Sequence, residues 1–335
     1  QHAAERLGLF DKARAAIAYQ NARSRSWKRM KRAWRPRPTK RFAAGDVILV
    51  PGIIWQRSPL AELERLKRDR GIRVVAYVHD LIPVRCPEYF TDDVGVASFR
   101  RHISTMVRIC DQICVNSDFV ASDLDSFARE CGRMDLSVVR VPLCAQISLR
   151  TTPRCTPRLA ALGLQRERYA LYVSSLNVRK NHAGIYSLWR SLMTTMTDGR
   201  LPPLVFAGQR GWGTDDLVRQ MSRDTAMWGR SIHFVEGPTD AEVAHLYSNC
   251  AFTVFPSHYE GWGLGVTESL EFAKPCIAAD NTALREAGQG LAIHIDTLDG
   301  PAWMAAIRRL SEDETYRREL ATRIQRDYRR RTWSQ

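Results

Sequence analysis

Long apolar runs are missing from this 335-residue chain. No stretch approaches the ~20 uninterrupted apolar residues that a membrane-spanning helix needs. A secretory leader is missing too, because residues 1–14 already carry Glu5, Asp11 and several bases. There is no initial Met, and the chain reads as a fragment. The eight cysteines, at 86, 110, 114, 131, 144, 155, 250 and 276, form no C-x-x-C pair. Cys110 and Cys114 have no second pair nearby for zinc. Cys110, Cys114, Cys250 and Cys276 lie in apolar runs and read as reduced core residues of a cytoplasmic protein. No internal repeat is visible. What is present is 44% hydrophobic and 26% charged residues, the mixture of a soluble globular protein. That excludes wholesale disorder, collagen-like repeats and a small disulfide-stapled scaffold. At roughly 150 residues per domain the length suggests two domains.

Acids are few relative to bases: 36 Asp plus Glu against 50 Lys plus Arg, a net charge of +14. Such a charge speaks about partners, with nucleic acid, anionic lipid and phosphorylated small molecules as candidates. It is concentrated in residues 23–41, which hold ten bases and no acid, with Trp27 and Trp34 among them. A nucleic-acid binder is one reading of that run. The sequence carries no RNA-binding or helix-turn-helix signature, so the expectation is no nucleic-acid partner. The other reading is a basic face, either solvated or docked on an anionic membrane surface, with the two Trp at headgroup level.

Along the chain, residues 3–22 have helical spacing, and Pro36 and Pro38 close the basic stretch. Short apolar runs then alternate with helical patterns, the signature of βαβ units and a parallel sheet. Strands are expected at 47–50, which reads as buried, and at 74–78, 112–115 and 137–141. Helices are expected at 60–68, 96–108 and 119–129. Residues 144–168, with Pro153 and Pro157, break the rhythm and read as a linker. Strands follow at 169–173, 204–207, 232–235, 252–255, 276–279 and 291–295. The helices of this half fall at 182–195, 215–227, 240–248, 264–272, 301–310 and 313–331. The expected organisation is a helical, basic segment 1–45, a Rossmann-like domain 46–145 incomplete at its N-terminal edge, a linker 146–168 and a second Rossmann-like domain 169–335. This is an α/β architecture of two doubly wound sheets facing a central cleft.

In open α/β sheets ligands bind at the carboxyl ends of the strands. The most informative strand end is Phe255-Pro-Ser-His-Tyr-Glu-Gly-Trp-Gly-Leu-Gly-Val-Thr-Glu268. Gly261, Gly263 and Gly265 sit where a helix begins, so backbone can approach a ligand, and the free amides and dipole favour an anion such as a diphosphate. Glu260 and Glu268 flank that site and suit sugar hydroxyls. The pattern alone equally fits a Gly-rich turn with two solvated glutamates.

Glu260-x7-Glu268 with the following Ser269-Leu-Glu-Phe-Ala-Lys-Pro-Cys-Ile-Ala-Ala-Asp280 resembles the signature of the family 4 retaining glycosyltransferases, enzymes of the GT-B fold. Tyr172-Val-Ser-Ser-Leu-Asn-Val-Arg-Lys-Asn-His182, Val205-Phe-Ala-Gly-Gln-Arg-Gly-Trp212, the segment from Phe234 to Tyr247, Val78-His-Asp-Leu-Ile-Pro83 and Val115-Asn-Ser-Asp118 agree in order and spacing. The resemblance covers about residues 46–335. It departs at Gly265 for a usual Pro, Gln209 for a usual Lys, Val141-Pro-Leu-Cys144 for a usual Pro-Asn-Gly, and Ser175 where a base is common. The family's opening strand with its Gly-rich loop, and the continuation of its last helix, are not seen.

The resemblance implies transfer of a sugar from a nucleotide diphosphate to a hydroxyl, with retention, without a metal and without a cofactor beyond the donor substrate. Lys180, supported by Arg179 and by the amides of Gly261, Trp262, Gly263, Leu264 and Gly265, would hold the diphosphate. Glu260 would hold a donor-sugar hydroxyl and Glu268 the ribose. His79 would touch the donor sugar or its phosphate, with Asp80 orienting it, while His182 starts a helix. The base would lie against the backbone of Glu236 to Pro238, near Gly208. The strings 179–182 and 261–263 resemble bacterial polysaccharide mannosyltransferases, so GDP-mannose is the expected donor and UDP-glucose or UDP-N-acetylglucosamine the runner-up. The expected partners are that donor, a lipid-linked glycan acceptor and an anionic membrane surface, on the cytoplasmic side of the inner membrane. A non-catalytic relative is the remaining alternative.

Overall fold

The computed structural model describes residues 42–51, 59–145, 151–211 and 213–331. The helix expected at 3–22 and the basic run at 23–41 lie outside the described residues. Val47–Gln335 form one compact unit built on two parallel sheets.

The first sheet holds β1 (Val47–Val50), β2 (Arg73–Val78), β3 (Gln112–Val115) and β4 (Ser137–Arg140), in the order β1-β2-β3-β4. Its period of two is plain: Val74, Ala76 and Val78 of β2 and Ile113 and Val115 of β3 are buried. They pack with Phe99, Ile103 and Met106 of the helix Asp93–Ile109 and with Leu124 and Phe127 of the helix Asp118–Glu130. β1 corrects the expectation of a buried strand. Among the described residues it sits at the edge of the sheet: Val47 and Leu49 are 57% and 59% exposed on one face, while Ile48 and Val50 on the other pack against the core.

The second sheet holds β5 (Ala170–Val173), β6 (Leu204–Gly208), β7 (Ile232–Glu236), β8 (Phe252–Phe255), β9 (Cys276–Ala279) and β10 (Ile293–Ile295). Their order is β10-β9-β8-β5-β6-β7, all parallel. The winding reverses between β5 and β8, which makes their carboxyl ends the switch point where a doubly wound sheet opens a crevice. One face packs on Trp189, Ile185, Trp303 and Ile307. The other, which carries Leu171 and Val205, packs on Leu246 and Tyr247 of the helix Asp240–Asn249. Burial on both faces accounts for the continuous apolar runs of these strands.

Several boundaries move for local reasons. The helix expected to reach 227 is Asp215–Arg223, and the Asp224 carboxylate that follows accepts the Tyr186 hydroxyl at 2.7 Å. The last helix is Glu314–Asp327 rather than 313–331, since Asp313 caps it by accepting the Tyr316 amide at 2.8 Å. The linker contains a short helix, Pro157–Ala160, with Pro at its first turn. All eight cysteines are unbridged; Cys110, Cys250 and Cys276 are buried as expected, and Cys114 is partly so.

Candidate functional site

The carboxyl ends of β2 and β3 face those of β5 and β8 across a cleft of about 360 Å³. His79, Asp80 and Asn116 line it from the first sheet. Ser174, Arg179, Lys180, Glu260 to Gly265 and Glu268 line it from the second. A larger cavity, about 680 Å³, opens where Arg168, Pro203 and Arg230 lie, next to the starts of β5, β6 and β7. We place the site in the smaller one, since strand carboxyl ends and a buried cluster of charge coincide there.

The charge cluster has a local origin. After β5 the chain turns through Ser174–Leu176 into a short 3-10 turn, Val178–Lys180. Asn177 caps this turn, its side chain accepting the Lys180 amide at 3.2 Å. Asn181, at φ +56°, then starts the helix His182–Thr195 and accepts the Gly184 amide at 3.1 Å. This double turn points Arg179 and Lys180 at the loop after β8. There Arg179 Nη1 lies 2.8 Å from Glu260 Oε2, and Lys180 Nζ donates to Glu260 Oε1. Arg179 also donates to the Tyr259 carbonyl. The three side chains are only 12%, 17% and 11% exposed. Burial pushes the Glu260 carboxyl up, but Lys180, Arg179 and a hydrogen bond from Ser257 outweigh it and hold it down at about 2. The family resemblance implies a diphosphate for the two cations and a sugar for Glu260. The structure places all three on one another.

Two glycines make the loop possible. A Cβ on Gly261 would lie 2.4 Å from the His79 carbonyl oxygen and 2.9 Å from Asp80 Cβ, so the two sheets' loops meet only across a glycine. Gly263 begins the helix Leu264–Glu271 at φ +106°, a conformation an L side chain rarely adopts. Trp262 is buried beside them, with the Arg331 guanidinium 5.7 Å from its ring centroid. Leu264 is exposed, and Gly265 packs against the Phe255 ring. Glu268 lies one turn into the helix and accepts the Tyr247 hydroxyl at 3.0 Å. Burial raises its carboxyl to about 7 despite that hydrogen bond, with Glu271 and Asp240 adding to the rise.

His79 is exposed at the end of β2, its ring 4.8 Å from that of Tyr77, and its carbonyl accepts Asn116 Nδ2 at 2.8 Å. Burial also raises the Asp80 carboxyl, against the Ile82 amide and the Arg179 charge. His182 is buried at the helix start, 3.1 Å from Ser174 Oγ, and burial beside Lys180 drops its imidazole to about 3. It is a neutral packing residue.

Gly208, Glu236 and Pro238 do not line the cleft. Gly208 ends β6 against the Ser174 carbonyl, where a Cβ would lie 1.9 Å away. Its neighbour in register, Glu236, is exposed and pairs with Arg210 at 3.0 Å. The backbone expected to meet a base is partly engaged: Arg158 donates to the Glu236 and Gly237 carbonyls, and the Gly237 amide donates to Gly208. Sequence reasoning gave no role to Asn116, Ser117, Ser174 or Tyr247, though the first three directly follow β3 or β5. Among the described residues no group of His, Cys, Asp and Glu side chains gathers as for a metal, and no helix is long and apolar enough to cross a membrane.

Comparison with known proteins gives the family and the fold. Residues 160–327 match the family described as glycosyl transferases group 1. The O-antigen chain mannosyltransferase B of Escherichia coli is 29% identical over 252 residues, 75% of this chain and 64% of that protein. A serotype-specific mannosyltransferase WbdA, also of Escherichia coli, is 24% identical over 258 residues, 74% of this chain and 31% of that protein. The chain thus spans less than two thirds of either relative. Among solved structures, sucrose-phosphate synthase from Thermosynechococcus elongatus has a TM-score of 0.62 at 20% identity, over 83% of this chain and 68% of that one. HepE of Anabaena in complex with UDP and glucose has a TM-score of 0.59 at 18% identity, over 83% and 72%. The fold is GT-B.

Proposed function

The chain belongs to the glycosyl transferases group 1 family, and from that premise we propose that it moves mannose from GDP-mannose to a hydroxyl of a lipid-linked polysaccharide precursor, retaining the anomeric configuration as family 4 enzymes do. The observation that carries the reading is the buried Arg179–Lys180–Glu260 cluster beside the Leu264–Glu271 helix start, opposite His79. Its two cations and free amides suit the charge that develops on a leaving diphosphate, the main electrostatic task of the reaction. Glu260 and His79 offer acceptors and donors to the sugar, and Glu268 to the ribose. Neither glutamate acts as a nucleophile; the leaving phosphate helps take the acceptor proton on the same face. Mannose as the sugar, and a polysaccharide as the acceptor, are supported by the Escherichia coli mannosyltransferases.

The basic run 23–41 would bring the enzyme to an anionic membrane surface, where a lipid-linked acceptor resides. Each base near such a surface contributes about 1 kcal/mol. The test is incubation with tritiated GDP-mannose or UDP-glucose and lipid-linked precursors, followed by NMR of the product anomer. Label transferred from GDP-mannose in the α configuration supports the proposal. Label from UDP-glucose alone, or an inverted anomer, refutes the donor or the stereochemistry. Vesicle binding that ignores anionic lipid and salt refutes the membrane part.

A further inference from the structure

We infer that Glu286 is a positioning residue for the transfer, acting through the strand–helix corner at residues 116–119 to set His79 against the Glu260–Gly265 loop; this rests on the transferase reading. The helix Asp118–Glu130 begins at that corner, and its first amides have no partner within the helix. Ser117 Oγ accepts the Val120 amide at 3.0 Å. The amides of Asp118 and Phe119 each donate, at 2.8 Å, to the two carboxylate oxygens of Glu286, 168 and 167 residues away on the helix Leu284–Gly288 of the other sheet's lobe. A carboxylate across a helix N-terminus is favoured by the dipole. Arg140 Nη1, 2.9 Å from Asp118, lies 4.0 Å from the same carboxylate.

The corner holds the site on both sides. Asn116 Nδ2 donates to the His79 carbonyl at 2.8 Å, and Ser117 Oγ donates to the buried Gly261 carbonyl at 2.9 Å. One helical turn on, Asp123 accepts the Tyr259 hydroxyl. Glu286 therefore clamps the lobe that carries His79 onto the loop that carries Glu260. It has no hydrogen bond or ion pair with Arg179, Lys180 or Glu260.

A residue so placed should govern turnover and leave nucleotide binding alone. In Glu286→Ala the expected result is a Kd for GDP within threefold of the wild type and a kcat with GDP-mannose at least tenfold lower. Glu286→Gln keeps one carbonyl acceptor and should recover at least threefold of that loss. Asp92→Ala is the control, because it removes the side-chain cap, bonded to the Gly95 amide at 2.9 Å, of the helix Asp93–Ile109 in the same lobe. It should lower Tm and leave kcat unchanged. The inference is overturned if folded Glu286→Ala turns over normally, if GDP affinity falls in step with kcat, or if Asp92→Ala lowers kcat as much. Should the Ala variant not fold, the Gln variant decides by the same comparison of Kd and kcat. A wild type that binds GDP but consumes no GDP-mannose overturns the donor assignment, and the same comparison of Kd and kcat with UDP and UDP-glucose then decides the role of Glu286.

Discussion

Replacing Glu260 by Gln tests whether the two cations serve a diphosphate. In the free protein both are paired with the one Glu260 carboxylate, whose carboxyl lies at about 2 against an ordinary 4.5. That gap of about 2.5 pH units, at about 1.4 kcal/mol per unit, corresponds to about 3 kcal/mol. Solvent screens little of it, since all three side chains are less than one-fifth exposed. A diphosphate arriving at Arg179 and Lys180 competes with this carboxylate, so this net figure of about 3 kcal/mol, from which the cost of burial is already subtracted, sets the scale of what its removal adds to the ligand's binding. Gln keeps the shape and a hydrogen-bonding carbonyl, which leaves roughly half, or about tenfold tighter GDP binding.

Stability should move the other way. Because the folded-state carboxyl is depressed, its contribution is complete above about pH 4.5 and is lost as pH falls through about 2. At pH 7.5 the wild type has all of it and the variant none, so Tm should drop by about 5 °C or more and recover with GDP. Transfer should fall, because the sugar loses its carboxylate. Titration calorimetry with GDP at 0.15 M salt and scanning calorimetry with and without GDP read both effects. A folded Glu260→Gln protein that binds GDP no tighter than the wild type would refute the reasoning, since the diphosphate would then not take the cations the carboxylate holds.

Lys180→Ala should weaken GDP binding by about 1.5–3 kcal/mol, roughly ten- to a hundredfold; an unchanged affinity in calorimetry removes Lys180 from the diphosphate site. Glu268 is a buried acid with a raised carboxyl, at about 7, so its folded form binds the extra proton between about pH 4.5 and 7 and stability falls as pH rises through that window. Glu268→Gln should therefore raise Tm at pH 8 but not at pH 4, and flatten a GDP affinity that in the wild type weakens below pH 7; a pH-independent Tm difference contradicts this. Gly261→Ala would drive a Cβ into the His79 carbonyl at 2.4 Å and should cost most of the kcat, while GDP, on the proposed site in the second sheet's lobe, should still bind. Normal turnover in that variant would mean that the loops need not meet so closely.

Most of the architecture was legible because the central strands β5, β6, β8 and β9 of the second sheet are largely apolar on both faces and the helices carry their own period. The run Phe252–Phe255 is buried throughout, and the sequence shows it as four residues without a polar gap other than Thr253. β1 was misread for the same reason. Val-Ile-Leu-Val looks alike at a sheet's centre and at its edge, and only strand order, a long-range property, tells them apart. The site was legible one segment at a time, through glycines and charges after strands, and illegible as a set. Glu260 and Lys180 are 80 residues apart, and nothing local says that a carboxylate read as a sugar ligand faces a cation read as a phosphate ligand. Ser175 illustrates the limit. It stands where a base is common in the family and carries no charge. In the structure Ser175 Oγ accepts Asn177 Nδ2 at 3.2 Å, and Asn177 caps the turn that swings both cations onto Glu260. A position without charge thus helps to orient two that have it, and only the folded backbone contains that relation.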